Sequence, residues 1–313
     1  MIRSFGYKKN KIRKIELKDI SKFKSWVRLV DPTKQEIEEI AKFTNIPLSE
    51  LLESYQEEER PRLTKENYIE IIYSAPYIEK GEGTTVPLNI YLYKNNLITL
   101  EKRSNKILDL IENEMEKNRY KFLFKKGVSY FIFFILDKIN DDFLTKIDKI
   151  ARNIDVYEEV TKRDLTIKDI EKIYEQSVTL SFFNQALIAN IEVLNALRKG
   201  HFKQFKGSDR TLFEELYYDA LQVLDTEKIQ REAITNLFQL QSIISSSKLN
   251  EFMKKLTTIA LIIAIPTLIS GMYGMNFLHI PLRNHPYGFI ITSSIILIIT
   301  FSFYLLFKRF DWV

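Results

Sequence analysis

Two uninterrupted apolar runs dominate the C-terminal end of the chain. Leu256 to Met275 holds twenty consecutive positions without Asp, Glu, Lys, Arg or His, and Tyr287 to Phe307 holds twenty-one more. At about 1.5 Å per residue, a helix built from either run is roughly 30 Å long, the thickness of a bilayer's hydrocarbon core. The pattern predicts a transmembrane hairpin, with spans at 256–275 and 287–307 joined by a short loop at 276–286. Two buried core helices are the alternative, and globular domains rarely place two such runs side by side. Lys254 and Lys255 precede the first span and Lys308 and Arg309 follow the second, whereas the loop carries Arg283 and two histidines. That bias puts both ends of the hairpin, including the basic tail 308–313, in the cytoplasm of a cell-membrane protein. Tyr273, Tyr287, Tyr304 and Trp312 fall near the span ends, where amphipathic rings prefer the headgroup level.

Upstream, Ser208 to Ile265 is a stretch of fifty-eight residues free of glycine and proline. As a helix it is roughly 87 Å long, which predicts a stalk at 208–255 feeding the first span. Gly200 to Gly207 breaks the pattern before it, and Ser208 or Asp209 offers the N-cap. Val128 to Lys199 also lacks glycine and proline. A Phe-rich strand is expected at Val128 to Leu136, then helical arms over 141–207, where Leu187, Ile191, Leu194 and Leu197 recur at spacings of three and four. Ten acids from Asp141 to Glu175, Asp164 among them, outnumber seven basic residues. They form either a solvated helical face or an acidic surface that gathers cations.

Residues 1–140 read as a mixed α/β cytoplasmic domain. Thr33-Lys34-Gln35-Glu36 is a capping box before the Ile37, Ile40, Ala41 spacing of a short helix, and Leu48 to Tyr55 suits another. Tyr68 to Tyr73, Pro87 to Tyr93 and Leu97 to Leu100 are strand-like, with a hairpin turn at Asn95-Asn96. Gly81-Glu82-Gly83-Thr84-Thr85 lacks the lysine of a phosphate loop and reads as an ordinary connection.

With 313 residues, 45% of them apolar and 28% charged, there is ample material for a folded domain beside the hairpin. The absence of cysteine excludes disulfides, thiolate nucleophiles and thiolate metal sites. The first residues lack the apolar core of a secretory signal. The net charge of +5 does not argue for nucleic acid, because the basic residues are interspersed with acids and gathered partly at the membrane flanks. No feature supports an enzyme.

The long helix carries a distinctive face. At 100° per residue, Gln239, Ser242, Ser246, Asn250, Met253, Thr257, Ala260, Ala264, Thr267 and Gly271 fall within an arc of about 100°. The stripe is polar or small except for Met253, with Leu249, Leu268 and Met275 at or inside its margins and Leu256 just outside. Close helix packing accounts for small residues within the membrane, whereas the polar continuation below it argues for water. Two spans per chain cannot enclose a hydrated path, so several copies must each contribute one.

Tyr273-Gly274-Met275-Asn276 at the outer end of the first span, Pro266-Thr267-Leu268 upstream and, more faintly, Trp26-Val27-Arg28-Leu29-Val30-Asp31-Pro32-Thr33 resemble the CorA family of divalent-cation channels. The resemblance implies a homopentameric funnel in the lipid bilayer that takes up Mg2+, and also cobalt or nickel. Gly274, Met275 and Asn276 then form the selectivity filter. Mg2+ sheds water reluctantly, and a ring of Asn276 carbonyls can accept hydrogen bonds from its hydration shell. Asn250 makes a second ring, and Met253 and Leu256 are candidates for an apolar constriction. The resemblance further implies closure by divalent ions bound between cytoplasmic domains, with Glu214, Glu215 and Asp219 as candidate ligands. Unlike family members with acids after the asparagine, the loop Phe277 to Pro286 has none. His279 and His285 lack a carboxylate partner there and make a poor metal site, although they can make entry pH-sensitive. A transporter of zinc or another transition metal, and a non-conducting membrane-anchored sensor, are the competing expectations.

Overall fold

Among the described residues, seven strands pair into one sheet: β1 (Ile2–Lys8), β2 (Lys11–Lys14), β3 (Lys24–Val30), β4 (Arg62–Lys65), β5 (Ile69–Glu79), β6 (Glu82–Tyr93) and β7 (Asn96–Glu101). The computed structural model describes residues 1–44, 46–55, 59–79, 81–161, 165–200, 202, 205, 209–276, 279–310 and 312, excepting the side chains of 160 and 161. Asp164, His201, Gly207, Ser208, Phe277 and Leu278 therefore lie outside the described residues, as do two positions of the tail. The strand order is β2-β1-β3-β7-β6-β5-β4. All pairings are antiparallel except β3 with β7, where Trp26 lies opposite Leu97. That parallel pair requires a crossover, which includes α1 (Lys34–Thr44) and α2 (Leu48–Glu53). The expected capping box begins α1: the Thr33 amide donates to Glu36 at 2.8 Å and the Glu36 amide to Thr33 Oγ1 at 3.3 Å. The β6–β7 hairpin turns at Lys94-Asn95, one position earlier than expected, with Tyr93 opposite Asn96 and Lys94 at φ 56°.

Both faces of the sheet are covered. Val27, Leu29, Ile98 and Leu100 pack with Ile37, Ile40 and Leu51 of α1 and α2. The opposite face meets α3 (Lys106–Glu116), α5 (Val128–Thr161) and α6 (Ile167–Lys199), with α4 (Lys121–Lys126) between the first two in sequence. Trp26 packs edge-on to Phe131 at 5.6 Å, and Tyr73 donates its hydroxyl to Asn140 Oδ1 at 2.7 Å. Asn190 of α6 is fully buried and closes on the backbone of Ser74, accepting from its amide at 2.9 Å and donating to its carbonyl at 2.8 Å. Ser74 lies past the end of β4, whose last pairing is Arg62 with Ile72, so the carboxamide satisfies groups that strand cannot reach.

Val128 to Leu136 is the first part of α5 and not the strand that its phenylalanines suggest. Phe131, Ile132, Ile135, Leu136, Ile139, Phe143, Ile147, Ile150 and Ile154 are all buried, so one apolar stripe of helical period runs from this segment far beyond it. Packing of that stripe on the sheet outweighs the local preference of aromatic and β-branched residues.

Buried charge ties β3, β7 and α3 together. The fully buried Arg28 bonds Glu101 through Nε at 2.6 Å and Nη2 at 3.1 Å, Glu112 through Nη1 at 2.7 Å, and Asp109 through Nη2 at 2.8 Å. Arg3 pairs with Glu112 from β1. Burial opposes the Arg28 charge, but the carboxylates of Glu101 and Asp109 together outweigh it and raise the guanidinium above its ordinary value. Burial raises Glu101 in spite of Arg28.

The chain divides into two units, Met1–Asn236 and Leu237–Val313. One continuous helix, α7 (Asp209–Tyr273), contributes to both, and α8 (Gly288–Arg309) completes the second. Asp209 is its first helical residue, and its carboxylate accepts from Ser129 Oγ of α5 at 2.6 Å. Among the described residues, three helices are long and apolar enough to cross a membrane: α6, α7 and α8. Half of the apolar window of α6 is buried within its own unit, against 6% for α7 and 0% for α8. The hairpin helices therefore expose the apolar surface that a bilayer would cover, and α6 spends its own on the sheet.

Candidate pore-lining helix and filter

From Thr258 onward, half-burial on the two helices falls on Ile262, Ile265, Pro266 and Ile269 of α7, near the buried Thr258, and on Ile291, Thr292, Ser293, Ile296, Ile299, Thr300, Tyr304 and Phe307 of α8. The helical spacing marks the faces that the two helices turn toward each other. Asn250, Met253, Leu256, Thr257, Ala260, Ala264, Thr267 and Gly271 are all exposed. The small and polar stripe is thus left uncovered by the chain's own second span. Pro266 removes one backbone donor inside the helix, and Thr267 Oγ1 bonds the Ile263 carbonyl at 2.8 Å beside it.

At its C-terminal end α7 unwinds into Gly274-Met275-Asn276. The Gly274 amide donates to Ser270 and Gly271 carbonyls at 3.0 and 3.2 Å, and the Met275 amide to Met272 at 3.3 Å. Asn276 leaves the helix exposed, and among the described residues its carboxamide has no hydrogen-bond partner. The final carbonyls of α7 converge here, and a helix C-terminus carries about half a negative charge. The backbone therefore presents negative potential where the loop has no acidic side chain.

The loop is held by its own backbone. Leu282 adopts φ 68°, the His285 amide donates to its carbonyl at 3.1 Å, and Gly288 donates to His285 at 2.9 Å. A Cβ at Gly288 would meet the Leu282 carbonyl at 2.2 Å, so only glycine fits at the start of α8. The Tyr287 amide donates to His285 Nδ1 at 3.2 Å, which leaves Nε2 as the ring's free position. With Ser270, Tyr273 and Asn276, this loop lines a cavity of about 860 Å³ between the two helices. His279 and His285 gain no carboxylate partner, and no group of three or more His, Cys, Asp or Glu suited to a metal ion occurs among the described residues.

In the first unit, Glu214, Glu215 and Asp219 are exposed on α7, while Phe213, Leu216 and Ala220 turn inward. Glu214 lies 3.9 Å from Arg198. Asp219 is raised above the usual carboxylate range by burial, then by the nearby charges of Glu215 and Asp141. Asp137 is raised by burial too, against Lys138, with Asp141 and Asp219 contributing. The fold thus brings Asp137 and Asp141 of α5 to Glu215 and Asp219 of α7 within one chain, and sets Glu214 toward α6. Sequence reading missed Asp137 because it adjoins the segment taken for a strand; its spacing of four from Asp141 on a helix was the available signal.

Comparison with known proteins agrees in fold and sequence. Residues 22–309 match the family described as CorA-like Mg2+ transporter protein. The cobalt/magnesium transport protein CorA of Methanocaldococcus jannaschii is 30% identical over 289 residues, spanning 92% of this chain and 91% of the relative. The Thermotoga maritima protein of the same description is 25% identical over 250 residues, or 79% and 71% of the two chains. The complete structure of the M. jannaschii CorA magnesium transporter superposes with a TM-score of 0.91 at 29% identity, covering 100% of this chain and 99% of that one. Full-length CmaX has the same fold, with a TM-score of 0.80 at 18% identity over 100% and 98% of the chains.

Proposed function

The chain belongs to the CorA-like Mg2+ transporter family, and on that premise we propose that it carries Mg2+ through the cell membrane down its electrochemical gradient, with Co2+ as a second cargo. The observation that carries this reading is the uncovered stripe of α7, which runs from Asn250 through Thr257, Ala260, Ala264, Thr267 and Gly271 to an exposed Asn276. Several copies, five by the family resemblance, set these stripes around a common axis. Asn276 carbonyls and the α7 C-termini then receive a largely hydrated cation at the outer mouth, where neutral oxygens hold it without trapping it. Asn250 forms the inner polar ring, and Met253 with Leu256 forms the constriction that closes by losing water. The lysines and arginine flanking the hairpin keep both of its ends in the cytoplasm.

No motor is required. An inside-negative potential supplies about 2.3 kcal/mol per charge per 100 mV, hence roughly 4.6 kcal/mol for a divalent ion. Closure in replete cells falls to Mg2+ bound between neighbouring cytoplasmic units at Glu214, Glu215 and Asp219. The raised carboxyl of Asp219 beside Glu215 and Asp141 supports that assignment, since crowded carboxylates gain from a shared cation.

The test is uptake into liposomes holding a magnesium-sensitive dye under an imposed inside-negative potential. The native chain is expected to admit Mg2+, and Asn276→Ala to lose flux or selectivity. No uptake by correctly assembled oligomers with low internal Mg2+ would sink the proposal in favour of a non-conducting sensor.

A further inference from the structure

After α8 the chain turns back upon itself. Trp312 donates its amide to the Phe307 carbonyl at 3.0 Å, and its ring stacks on Phe307 with centroids 6.0 Å apart. The Trp312 carbonyl lies 3.3 Å from Thr258 Oγ1, which also bonds the Lys254 carbonyl at 2.9 Å. Thr258 is 1% exposed. One buried hydroxyl thereby holds the tail against α7, a single turn from Lys254. Trp312 and Lys254 also line one cavity, together with Ser247 and Glu251.

Among the described residues, the charges at this level do not cancel. Glu251 pairs with Lys255 at 2.8 Å. Its carboxyl is held below the usual range chiefly by Lys255, with Lys248 and Lys254 adding to the effect. Lys254, Lys308 and Arg309 are exposed and have no carboxylate partner among the described residues. Three cations without an ion pair among the described residues thus accompany a part-exposed indole where both apolar helices end on the same side. Leu306 and Phe303, one and two turns back along α8, remain 49% and 41% exposed.

We propose that this end of the hairpin binds an anionic phospholipid of the cytoplasmic leaflet. Lys254, Lys308 and Arg309 engage its phosphate, Trp312 lies at the headgroup level, and an acyl chain runs along Phe303 and Leu306. Cations attract an anionic headgroup by about 1 kcal/mol each, and tryptophan favours the interface. A free phosphate ion satisfies the cations but makes no use of the indole or the apolar face beside it. The inference rests on the hairpin crossing a bilayer, as the transport reading requires.

The chain's two tryptophans make the test direct. Trp26 is fully buried in the α/β unit, so quenching by a membrane-borne quencher reports Trp312. The oligomer is placed in phosphatidylcholine vesicles with graded fractions of brominated phosphatidylglycerol or brominated phosphatidylcholine. Brominated phosphatidylglycerol is expected to quench at lower fractions. Each cation removed weakens that preference about fivefold, so Lys254→Gln with Lys308→Gln and Arg309→Gln abolishes it. Lys255→Gln, whose cation is already paired, retains most of it. Equal quenching by the two lipids in the native protein overturns the proposal, as does an equal loss in Lys255→Gln, which marks diffuse attraction. Relief of quenching by millimolar inorganic phosphate also overturns it, in favour of a free-phosphate site. Mg2+ uptake recorded in the same vesicles separates the two readings: uptake without lipid preference refutes only the lipid site, and preference without uptake refutes only transport.

Discussion

Replacing Arg28 by Met probes the buried charge cluster that joins the sheet to α3. The substitution leaves Glu101, with its side chain 1% exposed, holding only the Asn105 amide at 2.6 Å, while Glu112 keeps Arg3. Breaking a buried pair from one side typically costs about 3–5 kcal/mol. For a folding unit of this size that lowers Tm by about 6–20 °C, taking 2–4 °C per kcal/mol. The deficit depends on pH with a definite sign. Glu101 is already raised by burial, and without Arg28 its folded value rises further above the unfolded one. The stability from a raised acid is complete below the unfolded pKa, about 4.3, and is lost as pH rises through the folded value. The variant therefore falls furthest behind at pH 7–8 and recovers by up to about 1.4 kcal/mol per unit toward pH 5. Adding Glu101→Gln restores part of the loss at neutral pH. Trp26, two residues away on β3 and bonded to Thr99 Oγ1 at 3.1 Å, reports the melt by fluorescence and near-UV dichroism. Melting within 2 °C of the native protein at pH 7.5, or a deficit equal at pH 5.5 and 7.5, refutes the reasoning.

Further substitutions probe other parts of the chain. Asn190→Ala removes both bonds to the Ser74 backbone and should cost about 2–4 kcal/mol; hydrogen exchange at the Ser74 amide then accelerates, and unchanged protection contradicts the assigned role. Ala264→Leu fills an exposed position of the stripe and should slow Mg2+ flux at least about tenfold with Tm unaltered, because a hydrated ion needs the space; normal flux excludes the stripe as the path. Glu214→Gln, Glu215→Gln and Asp219→Asn combined should leave the channel conducting at internal Mg2+ levels that close the native protein, as measured by flux against preloaded Mg2+.

The hairpin was legible in the sequence because a bilayer imposes length and composition together. Leu256 to Met275 and Tyr287 to Phe307 satisfy both, and α7 and α8 contain them apart from Gly274, Met275 and Tyr287 beside the connecting loop. Helical geometry alone sorts the residues of α7 by angle; those of the small and polar stripe are exposed, as are most other residues of the span. The capping box of α1 and the strands rich in β-branched residues were local signals of the same kind.

The rest depended on contacts distant in sequence. β1 and β3 carry arginine, lysine and serine among their apolar residues, and Arg28 is tolerated in β3 only because Glu101 and Glu112 meet it from β7 and α3. Val128 to Leu136 is helical because its stripe continues to Ile154 and packs on the sheet, an outcome that no nine-residue window contains. Asp137 joins Asp219, and Trp312 joins Thr258, only once helices are laid together. The sequence by itself determined which segments suit a membrane, which face of the long helix is small and polar, and that cysteine chemistry is absent. Tertiary structure decided which charges are buried and matched and which, among the described residues, stay without an ion pair where α8 ends, because the energy of a charge depends on neighbours that the linear order does not specify.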